Sequence, residues 1–403
     1  MHILVLNSGS SSIKFSIYNA GETASGPQSV LDGELTGVAS AHAVLQSGDT
    51  KTSVDAHDLD QAIHLVLDAV TQPIDAVGYR IVHPGPNLRG HQRITPEVLR
   101  ELEAARAFAP LHDPEALQII HATMQRFPAA PHFACFDTVF HETMPEEASI
   151  YPIPTELRAQ GLRRYGFHGL SCESIVLQLH ALGELPRRMA IAHLGSGCSV
   201  TAVLDGRSVD TTMGLTPTGG VVMGTRPGDL DPGLMLYLLR AQGATTQEAA
   251  AAIESTLNHN SGMVALSNMP NDVQAMRAAA DTGNADARLA LKVFTRSITK
   301  AIGGYCFLLG GLDAIVFAGG IGEHDAATRA EVLAGLEGLG IALQAEPITV
   351  GGDIQRISAH VSAKASHTTV FIIPAQEDRM IALHVARMAN TAKQDPTATQ
   401  PHE

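Results

Sequence analysis

An α/β protein of two domains, the second repeating the plan of the first, is what the sequence predicts. Three observations predict it. Strand-like and helix-like segments alternate from one end of the chain to the other. At 403 residues, the chain is longer than one compact core usually supports. Finally, residues 8–17 (SGSSSIKFSI) align without gaps on residues 195–204 (GSGCSVTAVL), so that Ile13, Phe15 and Ile17 fall on Val200, Ala202 and Leu204. Each copy follows an apolar strand, at 3–6 and 190–193, which suggests a duplicated fold.

The elements follow in order. Ile3, Leu4, Val5 and Leu6 read as a buried strand, residues 7–12 as a hydroxyl-rich turn, and residues 12–18 as a strand with Ile13, Phe15 and Ile17 on one face. Lys14 then sits just past the turn, on the opposite face. Amides and short hydroxyls in such a turn can cradle phosphate oxygens, with a lysine as a point charge. The same segment also reads as an ordinary serine-rich hairpin. Further strands fit 74–82, 132–136, 189–194, 199–204, 313–318 and 369–373. Helical periodicity is clearest at 96–107, 114–127, 233–242, 285–310 and 325–339, with Pro96 and Pro114 placed for a first turn. A third glycine-rich turn, GGIGEH at 319–324, joins a strand to a helix, where backbone can approach a nucleotide closely. The polar residues 391–403 read as a frayed tail.

Composition excludes several function classes. Formal net charge is −14, which argues against nucleic acid or an anionic membrane as a partner. An anionic ligand must therefore be drawn by local positive charge. No apolar run reaches a membrane span, and the first residues lack the charged region of a signal peptide. Cys135, Cys172, Cys198 and Cys306 are scattered without metal-like or paired spacing, as expected of a reduced, cytoplasmic protein. Arg80 lies in an apolar strand and Arg226 in a glycine-rich loop; a planar guanidinium suits carboxylate and phosphate oxygens, though either can equally be a structural ion-pair partner. Asp137 ends an apolar strand, where a carboxylate often faces a ligand, or else caps a helix.

The segments NSGSSSIKFS (7–16), YRIVHPG (79–85), APLHDP (109–114), FDTVFHETMP (136–145), YGFHGLS (165–171), AHLGSGCSV (192–200), MGLTPTGG (213–220), MGTRPGDLDP (223–232), AGGIGEH (318–324) and IPAQED (373–378), in that order, resemble the acetate kinase family of the acetate and sugar kinase/heat-shock protein/actin superfamily. The resemblance implies duplicated ribonuclease H-like βββαβαβα domains, one of residues 1–145 with 379–403 and one of 146–378, with the active site in the cleft between them. It implies reversible transfer of the ATP γ-phosphoryl to acetate, dependent on Mg²⁺ (for which Mn²⁺ can stand in), by a cytoplasmic homodimer.

Site residues carry over one by one. Arg80 is expected on the acetate carboxylate, and Arg226 on the carboxylate and the moving phosphoryl. His168 donates to a phosphoryl oxygen. Asp137 positions the arginines or helps hold the metal. Val82, Leu111, Phe167 and Pro217 join Arg80 around acetate. Lys14, Ser10 and Ser12, with His193, Leu194, Gly195, Ser196 and Gly197, meet the phosphates. Asp272, Val273 and Gln274, with Gly320, Ile321, Gly322, Glu323 and His324, hold the nucleoside. Asn7 and Glu377 hold the metal, partly through water, and His112 supports the set. Four positions depart from the family pattern: Ser196 and His324 each stand where asparagine is usual, Gln274 where arginine is usual, and Pro84 where glycine is usual. The runner-up substrates are propionate and butyrate. A different class, an ATP-driven clamp of the actin or chaperone kind, would use the same fold without an acyl acceptor.

Overall fold

The computed structural model describes all residues except 10–11, 22–25, 39, 107, 109–112, 242–245, 337–340, 342, 359–367 and 395–403. The expected Ser10, Leu111 and His112 thus lie outside the described residues. The chain forms two compact units, Met1–Val139 with Gln376–Glu403 and Phe140–Ala375. These boundaries fall a few residues before the expected 145/146 and 378/379.

The first unit holds strands β1 (His2–Ser8), β2 (Ser12–Asn19), β3 (Gln28–Thr36), β4 (Ser40–Ser47), β5 (Thr50–Ala56), β6 (Ala76–Ile81), β7 (Gln92–Arg93) and β8 (His132–Phe136). Its helices are α1 (Leu59–Ala69), α2 (Pro96–Ala105), α3 (Asp113–Arg126) and the returning α14 (Glu377–Gln394). In the second unit, a 3₁₀ turn (Val139–Thr143) leads into α4 (Glu146–Ser149), α5 (Thr155–Arg158) and α6 (Gly169–Ala181). Strands β9 (Arg188–Leu194), β10 (Cys198–Leu204) and β11 (Arg207–Thr211) follow, then α7 (Pro232–Ala241), α8 (Thr246–His259), α9 (Gly262–Ser267), α10 (Val273–Asp281) and α11 (Ala285–Leu308). After β12 (Ala314–Ala318) come α12 (Gly319–His324), α13 (Ala326–Leu333), β13 (Leu343–Gly351), β14 (Ile354–Ser358) and β15 (Thr369–Ile372).

The duplication is visible in strand order. One sheet runs β5-β4-β3-β2-β1-β6-β8-β7 and the other β11-β10-β9-β12-β15-β14-β13. The stretch β3-β2-β1-β6-β8 corresponds to β11-β10-β9-β12-β15, with the first three strands antiparallel and the last two joined in parallel. The gap-free alignment does not survive in register. Leu6 pairs with Phe15, whereas its counterpart His193 pairs with Ser199, so the second hairpin closes three residues sooner.

Both faces of the first sheet are covered. Ile13, Phe15 and Ile17 pack with Leu4, Leu6 and the apolar side of α1 and α3. On the other face of β2, Ser16 and Tyr18 are buried as well, because α14 lies against β1, β2 and β6. Gly78 permits that approach: a Cβ there would meet Ile381 and Val385 at 2.7 Å. Asn7 belongs to β1 and stands opposite Lys14, so the loop joining the strands is shorter than the expected 7–12. In the second unit, α6 buries Cys172, Ile175 and Leu179 against Met189, Ile191, Val316 and Phe371, while α11 contacts β9 and β10.

Two further expectations change. The glycine-rich 319–324 is a short helix rather than a turn. Gly319 supplies the positive φ (75°) that starts it, and the Glu323 carboxylate accepts from the Gly319 N–H at 2.8 Å. Residues 391–394 continue α14 instead of fraying.

Candidate active site

Arg80, next to last in β6, is the centre of a charged network in the first unit. It donates to Asp137 Oδ2 through Nη2 at 2.5 Å and Nε at 3.1 Å, and to Asn7 Oδ1 through Nη1 at 3.2 Å. Glu377 Oε2 lies 3.7 Å from Nε. Burial favours loss of the Arg80 proton, but the charges of Asp137 and Glu377 outweigh it and hold the group above the ordinary arginine value. The guanidinium is therefore permanently charged and held from two sides, as a fork for oxyanions requires. Asp137 is fully buried at the end of β8. Lys14 is exposed and Ser12 half-buried, beside Asn7 on the hairpin. Just past β6, Val82 is half-buried, and Pro84 occupies a turn whose positive φ (73°) falls on Gly85. The usual glycine's freedom is thus supplied one residue later.

A second set gathers in the second unit around the turn between β9 and β10. His168 caps the start of α6 with φ 59°, a left-handed conformation uncommon for a side chain this large. Its ring stacks on His193 with centroids 4.2 Å apart. Each imidazole shares a hydrogen bond at Nδ1 with a serine hydroxyl, His168 with Ser199 at 2.9 Å and His193 with Ser171 at 2.8 Å. Those bonds direct the Nε2 atoms toward the turn: a Cβ on Gly197 would stand 3.4 Å from His168 Nε2 and 3.5 Å from Arg226 Nη1. Arg226 also donates from Nη1 to the Pro217 carbonyl at 3.1 Å. The turn is braced internally by Gly195 N–H to the Gly197 carbonyl at 3.0 Å and by the Cys198 thiol to the Gly195 carbonyl at 3.3 Å. Burial pushes that thiol up to about 12, so it remains protonated and inert. Ser196 is exposed, and the Asn271 side chain donates to its Oγ at 3.4 Å. An amide thus reaches this corner from another element.

The expected nucleoside residues divide by exposure. Gln274, Gly320 and His324 are exposed. Leu194 and Val273 have buried side chains and can meet a ligand only through backbone. Asp272 caps α10 by accepting from Ala275 N–H at 3.0 Å. The Glu323 carboxylate is engaged by the Gly319 and Ala375 amides, so it shapes the segment from within. Arg277 ties α10 to the α12–α13 junction through Asp325 at 2.6 Å, which brings 272–274 and 319–324 into one neighbourhood. Phe167 is buried, its carbonyl facing His141 Nε2 at 2.9 Å, and Pro217 is half-buried. Sequence reasoning missed Asp378, Ser171, Ser199 and Asn271. Only Asp378 left a signal, as the neighbour of Glu377.

The profile of the acetokinase family matches residues 2–383. An acetate kinase of Deinococcus radiodurans is 41% identical, with 96% of this chain and 98% of that protein covered. An acetate kinase of Rhodopseudomonas palustris is 38% identical, with the same coverage. Among solved structures, a propionate kinase from Francisella tularensis superposes with a TM-score of 0.85 at 33% identity, covering 96% of this chain and 99% of that one.

Proposed function

The chain belongs to the acetokinase family, and from that premise we propose how its residues carry out the reaction it catalyses. That reaction is the reversible transfer of the ATP γ-phosphoryl to acetate, giving acetyl phosphate and ADP. An acetate oxygen attacks phosphorus, the bond to the bridging oxygen breaks, and the electron pair leaves on ADP. Acetate is already ionised at neutral pH, so no base is needed. The work is positioning and stabilisation of the planar, charge-bearing phosphoryl group.

Arg80 binds the acetate carboxylate, with Asp137 and Asn7 fixing its plane. Arg226 and His168 donate to the phosphoryl oxygens. The convergence of His168 Nε2 and the Arg226 guanidinium on Gly197, with Nδ1 of His168 anchored by Ser199, is the observation that carries this reading. Lys14, Ser12 and the 195–197 turn with His193 take the ATP phosphates, and 272–274 with 320–324 the nucleoside. Val82, Phe167 and Pro217 supply the apolar surface for the methyl group.

A hard divalent cation suits the first unit's donors. Asp137, Glu377 and Asp378 gather about Arg80 with Lys14 nearby, three carboxylates against two cations, and all donors are oxygen. Glu377 would hold Mg²⁺, and Asn7 would act through water because Arg80 and Asp378 already engage its amide. The ion would neutralise charge on the phosphates.

The sibling reading is propionate, the acid named for the Francisella relative. One methylene is worth only ~1–3 kcal/mol in such a pocket. Hydroxamate formation from acetate, propionate and butyrate with MgATP tests both. The highest kcat/KM is expected with acetate. A preference for propionate moves the assignment to the sibling, and no product with any acid favours an ATP-driven clamp.

A second copy of the chain is the proposed partner. Leu234, Leu236, Tyr237 and Leu239 leave α7 with exposed apolar side chains around much of its circumference, which self-association would cover. Sedimentation should give twice the chain mass, and a monomer at micromolar concentration would refute this. Among the described residues no helix is long and apolar enough to cross a membrane. The free cysteines accord with a reducing cytoplasm.

A further inference from the structure

We propose that Asp378 is a positioning residue for the acceptor: from the first turn of α14 it sets the side-chain amide of Asn7, and through Asn7 the aim of Arg80. The inference rests on the reading of Arg80 as the residue that meets the acceptor carboxylate.

An asparagine amide has nearly the same shape when turned end for end, so its partners decide which end faces where. Asp378 presents two acceptors. Oδ1 receives Asn7 Nδ2 at 3.1 Å and Oδ2 receives Ser16 Oγ at 3.2 Å. With its nitrogen held there, Asn7 turns its oxygen toward Arg80 and accepts from Nη1 at 3.2 Å. Asp137 holds Nη2 and Nε on the other side. Removing Asp378 frees the amide to rotate, and the rotated amide would present a donor to a guanidinium that has only donors. One of the two holds on Arg80 would then be lost.

The bonds of Asp378 run from helix to strands rather than back to its own helix, so capping does not explain them. The depth at which α14 sits is set two residues before Arg80, where only glycine at 78 leaves room for Ile381 and Val385. Helix seat, carboxylate, amide and guanidinium form one chain of contacts: Gly78–α14, Asp378–Asn7, Asn7–Arg80.

The test uses the full-length protein with Asp378→Ala, Asp378→Asn and Asp378→Glu, acetate and MgATP being varied in turn, and thermal melts as the folding control. In the Ala variant, kcat/KM for acetate should fall about 10- to 100-fold, the usual cost of losing a partner that orients a binding residue; in the Asn variant, which keeps one acceptor oxygen, it should fall by less. The KM for ATP should rise less than that for acetate, because Asn7 serves the cation only through water. Glu, which keeps an acceptor carboxylate, should restore most of the loss. Asn keeps the shape of the side chain and supplies the measurement if Ala does not fold. Unchanged kcat/KM for acetate in folded Ala and Asn variants overturns the proposal. So does a parallel rise in both KM values, or failure of Glu to rescue. A wild-type protein inactive on every carboxylate would instead sink the reading of Arg80 on which the proposal stands.

Discussion

The hairpins β1–β2 and β9–β10 occupy the same place in their two sheets, yet one is wired through carboxylates and the other through imidazoles and hydroxyls. At the first, Asn7 and Ser16 hydrogen-bond the carboxylate of Asp378, which feels the charge of Lys14, and Asn7 also accepts from the guanidinium of Arg80. At the second, imidazoles lean on serine hydroxyls above a glycine turn that closes three residues sooner. Duplication therefore supplied the scaffold and not the chemistry. Alternation along a strand constrains only the buried face, which leaves strand ends and the other face free to diverge. A glycine turn ringed by imidazoles lets donors approach a phosphoryl group; a hairpin end beside a charged network suits metal and carboxylate.

That division can be broken experimentally. The largest loss is expected at the second hairpin: Arg226→Ala should lower kcat by about 100-fold or more, as removal of a donor to developing charge does. Unchanged turnover in a folded variant would remove Arg226 from the transition state. A smaller effect is expected at the first hairpin, where Lys14→Ala should raise the KM for ATP roughly tenfold, the worth of one charge-assisted contact, with kcat little changed. If Lys14→Ala depressed kcat more than Arg226→Ala, the assignment of phosphoryl chemistry to the second unit would be reversed. The smallest effect at neutral pH concerns His141, which is buried against Ser208 and the Phe167 carbonyl. Burial lowers it to about 4, from an unfolded value of 6.5. The unfolded chain thus binds the extra proton first, and stability is full above 6.5 and declines as pH falls toward 4. Melts of wild type and His141→Gln over that window should diverge by up to ~1.4 kcal/mol per pH unit. Parallel curves would show that His141 is not the group that titrates.

Much of this was legible in the sequence because the periodicity was strong. The hairpin with Ile13, Phe15 and Ile17, the strands around Arg80 and Asp137, and the helices begun by Pro96 and Asp113 lie within a few residues of their expected places. The weakly patterned β3 and β5 were not, since their residues are mostly polar and exposed. The 319–324 segment misled because glycine propensity argues against helix, while a capping glutamate four residues on argues for it only once folded. The burial of Ser16 and Tyr18 was not legible, because nothing local announces a helix returning from far along the chain. Asp378 went unseen for the same reason: its partners are more than 360 residues away.

That return sets an order of events during synthesis. Glu377 and Asp378 are made about 300 residues after Arg80, which at 5–20 residues per second is roughly 15–60 s later. Until they emerge, Asn7 has no carboxylate to hold its amide, and the face of β1, β2 and β6 that α14 covers stays bare. A chain released just short of Glu377 carries all of the second unit's residues and still has an unarmed first unit. Synthesis of α14 is thus read out chemically, because that helix carries the group that aims the first unit's arginine.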